Sequence, residues 1–122
     1  MKIHIRGEDL ASIQKTLKEW NLSNISDKEL LYLIVGRKGG KTTIRILDKI
    51  LMKPYNKNQL ANQLNLDYNT ITHHIKIIES YDYITEVRFE NIYYYQPSEK
   101  LFKSIDEYNI IKESMQNDES EE

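Results

Sequence analysis

Apolar residues fall at helical spacing over most of the chain and switch to strand spacing once, near the C-terminal third. Between residues 8 and 20, Leu10, Ile13, Leu17 and Trp20 recur at intervals of three, four and three, which puts them on one helical face. Asn21 to Asn24 break that pattern. Ser26 and Glu29 then form an S-x-x-E capping box ahead of the apolar run Leu30 to Val35. Gly36, Gly39 and Gly40 interrupt the chain, offering flexibility and access to positive φ. From Thr42 to Met52 the helical period returns, with Ile44, Leu47, Ile50 and Leu51 inward and Arg45, Asp48 and Lys49 outward. Pro54 ends it, because proline lacks the N–H that would continue the ladder.

Residues 56–81 carry the most informative pattern. Asn56 and Gln59 are placed to cap a short helix bearing Leu60, Ala61 and Leu64. Asn65-Leu66-Asp67 makes a tight break, and Asp67 caps a second helix reaching about Tyr81, in which Ile71, Ile75 and Ile78 form the buried stripe. Ala61 supplies the small residue needed where two such helices cross, and Leu64 and Leu66 plug the turn. After Asp82 the period changes. Tyr83 to Phe89 and Ile92 to Gln96 are rich in β-branched and aromatic residues and are joined around Glu90-Asn91, which predicts a hairpin. Pro97 and Ser98 open a last helix with Leu101, Ile105, Tyr108, Ile111 and Met115 on one face.

The predicted fold is α+β and mostly helical: a winged helix-turn-helix with flanking N- and C-terminal helices. Residues 1–35 form an N-terminal helical extension, 36–97 the winged helix-turn-helix, and 98–122 a C-terminal helix with an acidic, solvated and frayed tail. At 122 residues this is about one domain with a modest core. The longest apolar run has six residues, too few for a membrane span, and the N-terminus has no apolar h-region. The chain has no cysteine, so disulfides and thiolate metal sites are excluded. Cytoplasmic residence is expected.

Charge changes the picture once it is divided along the chain. The net −2 splits into five Lys/Arg against five Asp/Glu over residues 1–35, nine against five over 36–89, and three against nine over 90–122. The +4 segment is the one that holds the helix-turn-helix, and local charge is what meets phosphate.

The second helix of that motif leaves Asn69, Thr72, His73 and Lys76 opposite its apolar stripe. Asparagine can pair with adenine, lysine can reach guanine or the backbone, and threonine offers a methyl or a hydroxyl, so these four are the expected base contacts. Tyr68 near the helix start, the cluster Arg37, Lys38, Lys41 and Thr43 at another helix start, Lys57 and Asn58, and Arg88 in the wing are the expected phosphate contacts. Glu86 and Glu90 make the wing partly acidic. In Tyr93-Tyr94-Tyr95 one or two rings are expected to pack on the core rather than to stack on bases.

Other chemistry finds little support. His73 and His74 are adjacent, about 100° apart on a helix, and make poor joint metal ligands; His74 borders the core. The segment GRKGGKT imitates a P-loop, but Val35 stands where the first glycine is required. No nucleophile–base or carboxylate pair emerges, so no enzyme, metal or cofactor is expected. Leu101, Ile105, Tyr108 and Ile111 form an apolar stripe suited to a homodimer with two recognition helices.

The stretch GRKGGKTTIRILDKILMKPYNKNQLANQLNLDYNTITHHIKIIESYDYI, followed by IYYYQPSEK, resembles the ArsR-like winged-helix domains common in archaea over about residues 36–105. The resemblance implies a cytoplasmic, often dimeric transcription regulator of double-stranded DNA, with the helix around 68–80 in the major groove. The chain departs from that pattern at Asn65, where glycine is common, in a wing without a glycine tip, and in lacking the cysteines and clustered histidines of metal sensors. The rival expectation is a winged-helix module that docks on another protein without binding DNA.

Overall fold

The computed structural model describes residues 22–120, with side chains through residue 116. The helix expected over residues 8–20 lies outside the described residues. The chain divides into two compact units, Met1–Lys41 with Ser104–Glu122, and Thr42–Lys103.

In the first unit, helix α1 (Lys28–Val35) is capped by Asp27 and not by Ser26 as the S-x-x-E pattern suggested. Asp27 Oδ1 accepts from the Leu30 N–H at 3.0 Å. The reason lies far along the chain. Glu107 accepts the backbone N–H groups of Ser26 and Asp27 at 2.7 and 2.9 Å, which fixes the entry to the helix one residue later. The Ser104 hydroxyl donates to Asp27 Oδ2 at 2.6 Å.

Ser104 also breaks the expected single C-terminal helix in two, α5 (Glu99–Lys103) in the second unit and α6 (Ile105–Ser120) in the first. Its carbonyl accepts the Tyr108 N–H at 2.8 Å, so α6 starts afresh there. Helix α6 runs on through Ser120, further than the frayed acidic tail expected from sequence. Leu30, Leu33 and Ile34 of α1 and Tyr108 and Ile111 of α6 are buried, and the two helices pack together.

Helix α2 (Gly40–Met52) begins two residues earlier than the sequence pattern indicated. Gly39 takes φ 89°, a conformation glycine adopts without strain. A Cβ on Gly40 would lie 1.7 Å from the Ile34 carbonyl oxygen, so Gly40 serves close approach, and Gly39 uses the positive φ expected of this stretch.

In the second unit, α2 is followed by α3 (Lys57–Leu64), α4 (Tyr68–Ser80) and an antiparallel hairpin of β1 (Ile84–Phe89) and β2 (Ile92–Pro97). Leu60 and Leu64 of α3, Ile71, Ile75 and Ile78 of α4, and Tyr83, Ile84, Tyr95 and Leu101 are buried. Burying a side chain of this size stabilises by about 1.5–3 kcal/mol. Glu90 and Asn91 both take positive φ, 50° and 66°, as a two-residue type I′ turn requires. Tyr55 adds an isolated bridge to the hairpin, its N–H donating to Tyr95 O at 3.2 Å and its carbonyl accepting from Tyr95 N at 2.8 Å. The sequence pattern gave no strand at Tyr55.

Replacing Gly40 with alanine is expected to destabilise the chain by more than about 2 kcal/mol in urea unfolding, because the clash is with backbone. Glu107 yields a second test. The Ser26 and Asp27 N–H bonds hold its carboxyl below the usual carboxylate range. A pKa depressed by folding contributes stability that is present above the ordinary value of 4.5 and lost as pH falls through the folded value. In Glu107→Gln that portion of the acid-side loss should vanish from a pH series of unfolding curves.

Candidate nucleic-acid interface

The geometry of the interface is set at the turn between α3 and α4. Asn56 Oδ1 accepts from Gln59 N at 2.8 Å while Gln59 Oε1 accepts from Asn56 N at 2.9 Å, the reciprocal box that starts α3. The helix ends where Asn65 takes left-handed φ 54°. The N–H of Leu66 then donates to Ala61 O at 3.0 Å and that of Asn65 to Asn62 O at 3.4 Å, the pair of bonds of a Schellman motif. Arg45 of α2 donates to the Leu64 carbonyl at 2.7 Å and satisfies one more carbonyl of the last turn. Two residues on, Asp67 caps α4 through Thr70 N at 3.4 Å.

Helix α4 therefore leaves the turn with one stripe fixed inward. Ile71, His74, Ile75 and Ile78 are buried. The opposite stripe, Asn69, His73, Lys76 and Ser80, is exposed. The His73 and His74 rings are 5.6 Å apart and nearly perpendicular, with His73 exposed and His74 buried. Thr72 is half-buried, and its hydroxyl oxygen is buried without a hydrogen-bond partner. Of the two roles expected for Thr72, the hydroxyl contact is therefore not presented, and only its methyl side remains. Ser80, four residues after Lys76, completes the stripe and was legible from spacing alone.

The expected phosphate contacts divide. Lys57, Asn58 and Tyr68 line one open cleft of about 310 Å³ between the start of α3, the start of α4 and the inner face of the hairpin. Lys57 Nζ lies 6.0 Å from the centre of the Tyr68 ring. Arg88 is exposed, but its guanidinium donates to Asn91 Oδ1 and lies 5.8 Å from the centre of the Tyr93 ring. In the other unit, Lys38 and Lys41 are exposed and Arg37, half-buried, donates to the Lys38 carbonyl at 3.1 Å. Thr43 is a correction. It is fully buried on the inward side of α2, so its hydroxyl is not offered to a ligand.

The dimer stripe needs the same correction. Leu101, Tyr108 and Ile111 are buried within their own chain, and Ile105 is half-buried. The exposed apolar residues nearby in sequence are Phe102 and Ile110. Helical periodicity finds an apolar face but not which side of the molecule covers it.

Of the three adjacent tyrosines expected to send one or two rings to the core, Tyr95 does so as the floor of the cleft, and its pairing with Glu86 is what sequence reasoning missed. Tyr95 is buried there, with its hydroxyl donating to Glu86 Oε1 at 3.3 Å. Burial first, then Glu86 and Glu79, push its hydroxyl far up, so it stays protonated. Burial and then Glu86 also raise the Glu79 carboxyl, with Lys57 opposing. Glu86 and Tyr95 are cross-strand partners, so these groups meet only when the hairpin pairs and folds back toward α4. Among the described residues no group of three His, Asp or Glu side chains could hold a metal ion, and no helix is long and apolar enough to cross a membrane.

Several solved structures share this architecture. The chain is similar to the transcriptional regulator BldR from Sulfolobus solfataricus, with 17% identity over 93% of this chain and 84% of that one, at a TM-score of 0.60. A MarR family protein from Bacillus stearothermophilus has 17% identity over 93% and 79%, at 0.54. A MarR protein from Peptoclostridium difficile has 22% identity over 97% and 74%, at 0.55. No family model and no curated protein matches the chain. At these identities the likeness shows the fold, a mostly helical α+β winged helix-turn-helix.

Removing the Arg45 bond tests the turn. Arg45→Met is expected to cost about 1–2 kcal/mol in chemical unfolding, the value of a charge-assisted bond to an otherwise unsatisfied carbonyl.

Proposed function

We propose that the chain is a sequence-specific double-stranded DNA-binding transcriptional regulator, with α4 lying in the major groove. The observation that carries this reading is the exposed stripe Asn69, His73 and Lys76 on a helix whose opposite stripe is locked inward. Asn69 and Lys76 supply donors and acceptors for base edges, and Thr72 supplies an apolar side for a thymine methyl. Lys57, Asn58 and Tyr68 at the starts of α3 and α4, with Arg37, Lys38, Lys41 and Arg88, supply the phosphate contacts. The regulators of similar fold are described as transcriptional regulators or as MarR proteins, which supports the same class without fixing it.

The finer parts of the proposal rest on sequence. The ArsR-like, archaeal affinity rests on the GRKGGKT and YYYQPSEK segments and their spacing around the helix-turn-helix. A homodimer fits the half-site logic of such motifs, and Ile105 and Ile110 on α6 are the residues left to serve it. The protein acts in the cytoplasm by binding, not by catalysis, and no cofactor takes part.

The test is selection from a random DNA pool followed by titration of the selected duplex. With roughly four phosphates neutralised per protomer, the log–log salt slope of a dimer should be about −7. Lys76→Ala should weaken the selected site by about 1–3 kcal/mol and relax one base preference. Lys41→Ala should weaken all sequences alike and shift the slope by about 1. An empty selection, or binding indifferent to salt and to both substitutions, sinks this reading in favour of a protein-docking module.

A further inference from the structure

We propose that the cleft between the first turn of α4 and the inner face of the hairpin is a binding site for a small organic ammonium ion. Its walls are the rings of Tyr68 and Tyr93, each about half exposed, its floor is Tyr95, and Glu86 lies beside the floor. Tyrosine faces carry the negative end of a quadrupole and hold cations within about 6 Å. Two of these rings already do so with side chains of the chain itself. Lys57 sits 6.0 Å from the Tyr68 centroid and Arg88 5.8 Å from that of Tyr93.

The rings around the floor select the sign of the ligand. Glu86 lines the cleft beside Tyr95, Glu79 acts electrostatically on Tyr95, and the cations nearby are Lys57, over the Tyr68 ring, and Arg88, over the Tyr93 ring. Carboxylates and cations balance there, and both cations sit against rings, so the cleft already holds positive charge by the contacts an ammonium would use. Lys57 is the movable member, a flexible stem whose head occupies the rim as an internal surrogate. The volume of about 310 Å³ is at the small end of ligand sites, which suits a compact alkylammonium and not a large drug-like molecule. Asn91, at the mouth, adds an amide for a hydroxyl or carbonyl on the ligand.

This inference goes beyond DNA binding and is tested without DNA, so either can fail alone. The isotopically labelled full chain is titrated with choline, and in parallel with 3,3-dimethylbutan-1-ol, its uncharged isostere, while backbone amide shifts are followed. Saturable shifts at Tyr68, Asn91 and Tyr93 are expected with choline, with the isostere weaker by about tenfold or more. Glu86→Gln and Tyr93→Leu should each weaken choline by about tenfold, and Lys57→Gln should tighten it several-fold by vacating the rim. Tyr93 is exposed, so its variant keeps the test open if Glu86→Gln disturbs folding. The proposal is overturned if neither wild type nor Lys57→Gln gives saturable shifts with choline. Equal binding of the isostere, or choline binding unchanged in folded Glu86→Gln or Tyr93→Leu, overturns it as well.

Discussion

The left-handed turn at Asn65 is the constraint on which the second unit depends. Two backbone bonds and the Arg45 guanidinium satisfy the last carbonyls of α3, and this leaves the chain one direction in which to start α4. A helix turned by one residue would rotate its stripes by about 100°. Ile71, Ile75 and Ile78 would then leave the interior, and Asn69, His73 and Lys76 would be carried round with them. The surface chemistry of α4 is therefore a consequence of backbone geometry three residues before it begins. Asparagine at this position is tolerated because its short polar side chain accepts the left-handed region better than most residues do.

Tyr95 does for the hairpin what Asn65 does for the helices. Its backbone pairs with Tyr55 just before α3, its neighbours pair with β1, and its ring is buried. A two-stranded hairpin alone is marginal in water. The bridge to Tyr55 and the burial of Ile84 and Tyr95 tie it to the helices and leave its inner face opposite the starts of α3 and α4. The cleft follows from that placement, and so does the crowding of Glu79, Glu86 and the Tyr95 hydroxyl.

What was legible in the sequence was local. The Asn56–Gln59 box, the Asp67 cap, the inward isoleucines of α4 and the strand period after Asp82 are each fixed within a few residues, and each stands in the fold. What was illegible depended on partners far along the chain. Asp27 displaced Ser26 as a cap because Glu107, some eighty residues away, claims the backbone before it. Tyr55 became a bridge because Tyr95 lies beside it. Thr43 looked like a polar residue at a helix start and is buried. The apolar stripe from Leu101 to Ile111 is split at Ser104 and already covered at three of its four positions. Of the interface, exposure of Asn69, His73 and Lys76 followed from period alone, whereas the buried Thr72 hydroxyl and the tyrosine cleft did not.

The charges of the hairpin decide how a duplex would be held on the proposed reading. Arg88 projects from the same face as Glu86 and Tyr93, since alternate residues share a face and Arg88 pairs with Tyr93. It is engaged there by Asn91 and the Tyr93 ring, so the turn itself presents Glu90 without an adjacent free cation. The other face, with Val87, Phe89 and Ile92 exposed, carries no charge at all. Phosphate is attracted by local positive potential, and this hairpin offers little of it. The attraction must then come mainly from the helix starts, where Lys57, Asn58 and Tyr68 stand beside backbone N–H groups, with Arg88 as the hairpin's own contribution. Affinity and specificity in this arrangement reside mainly on the helices, and the hairpin stands opposite Tyr68 and Lys57 as the other wall of the cleft.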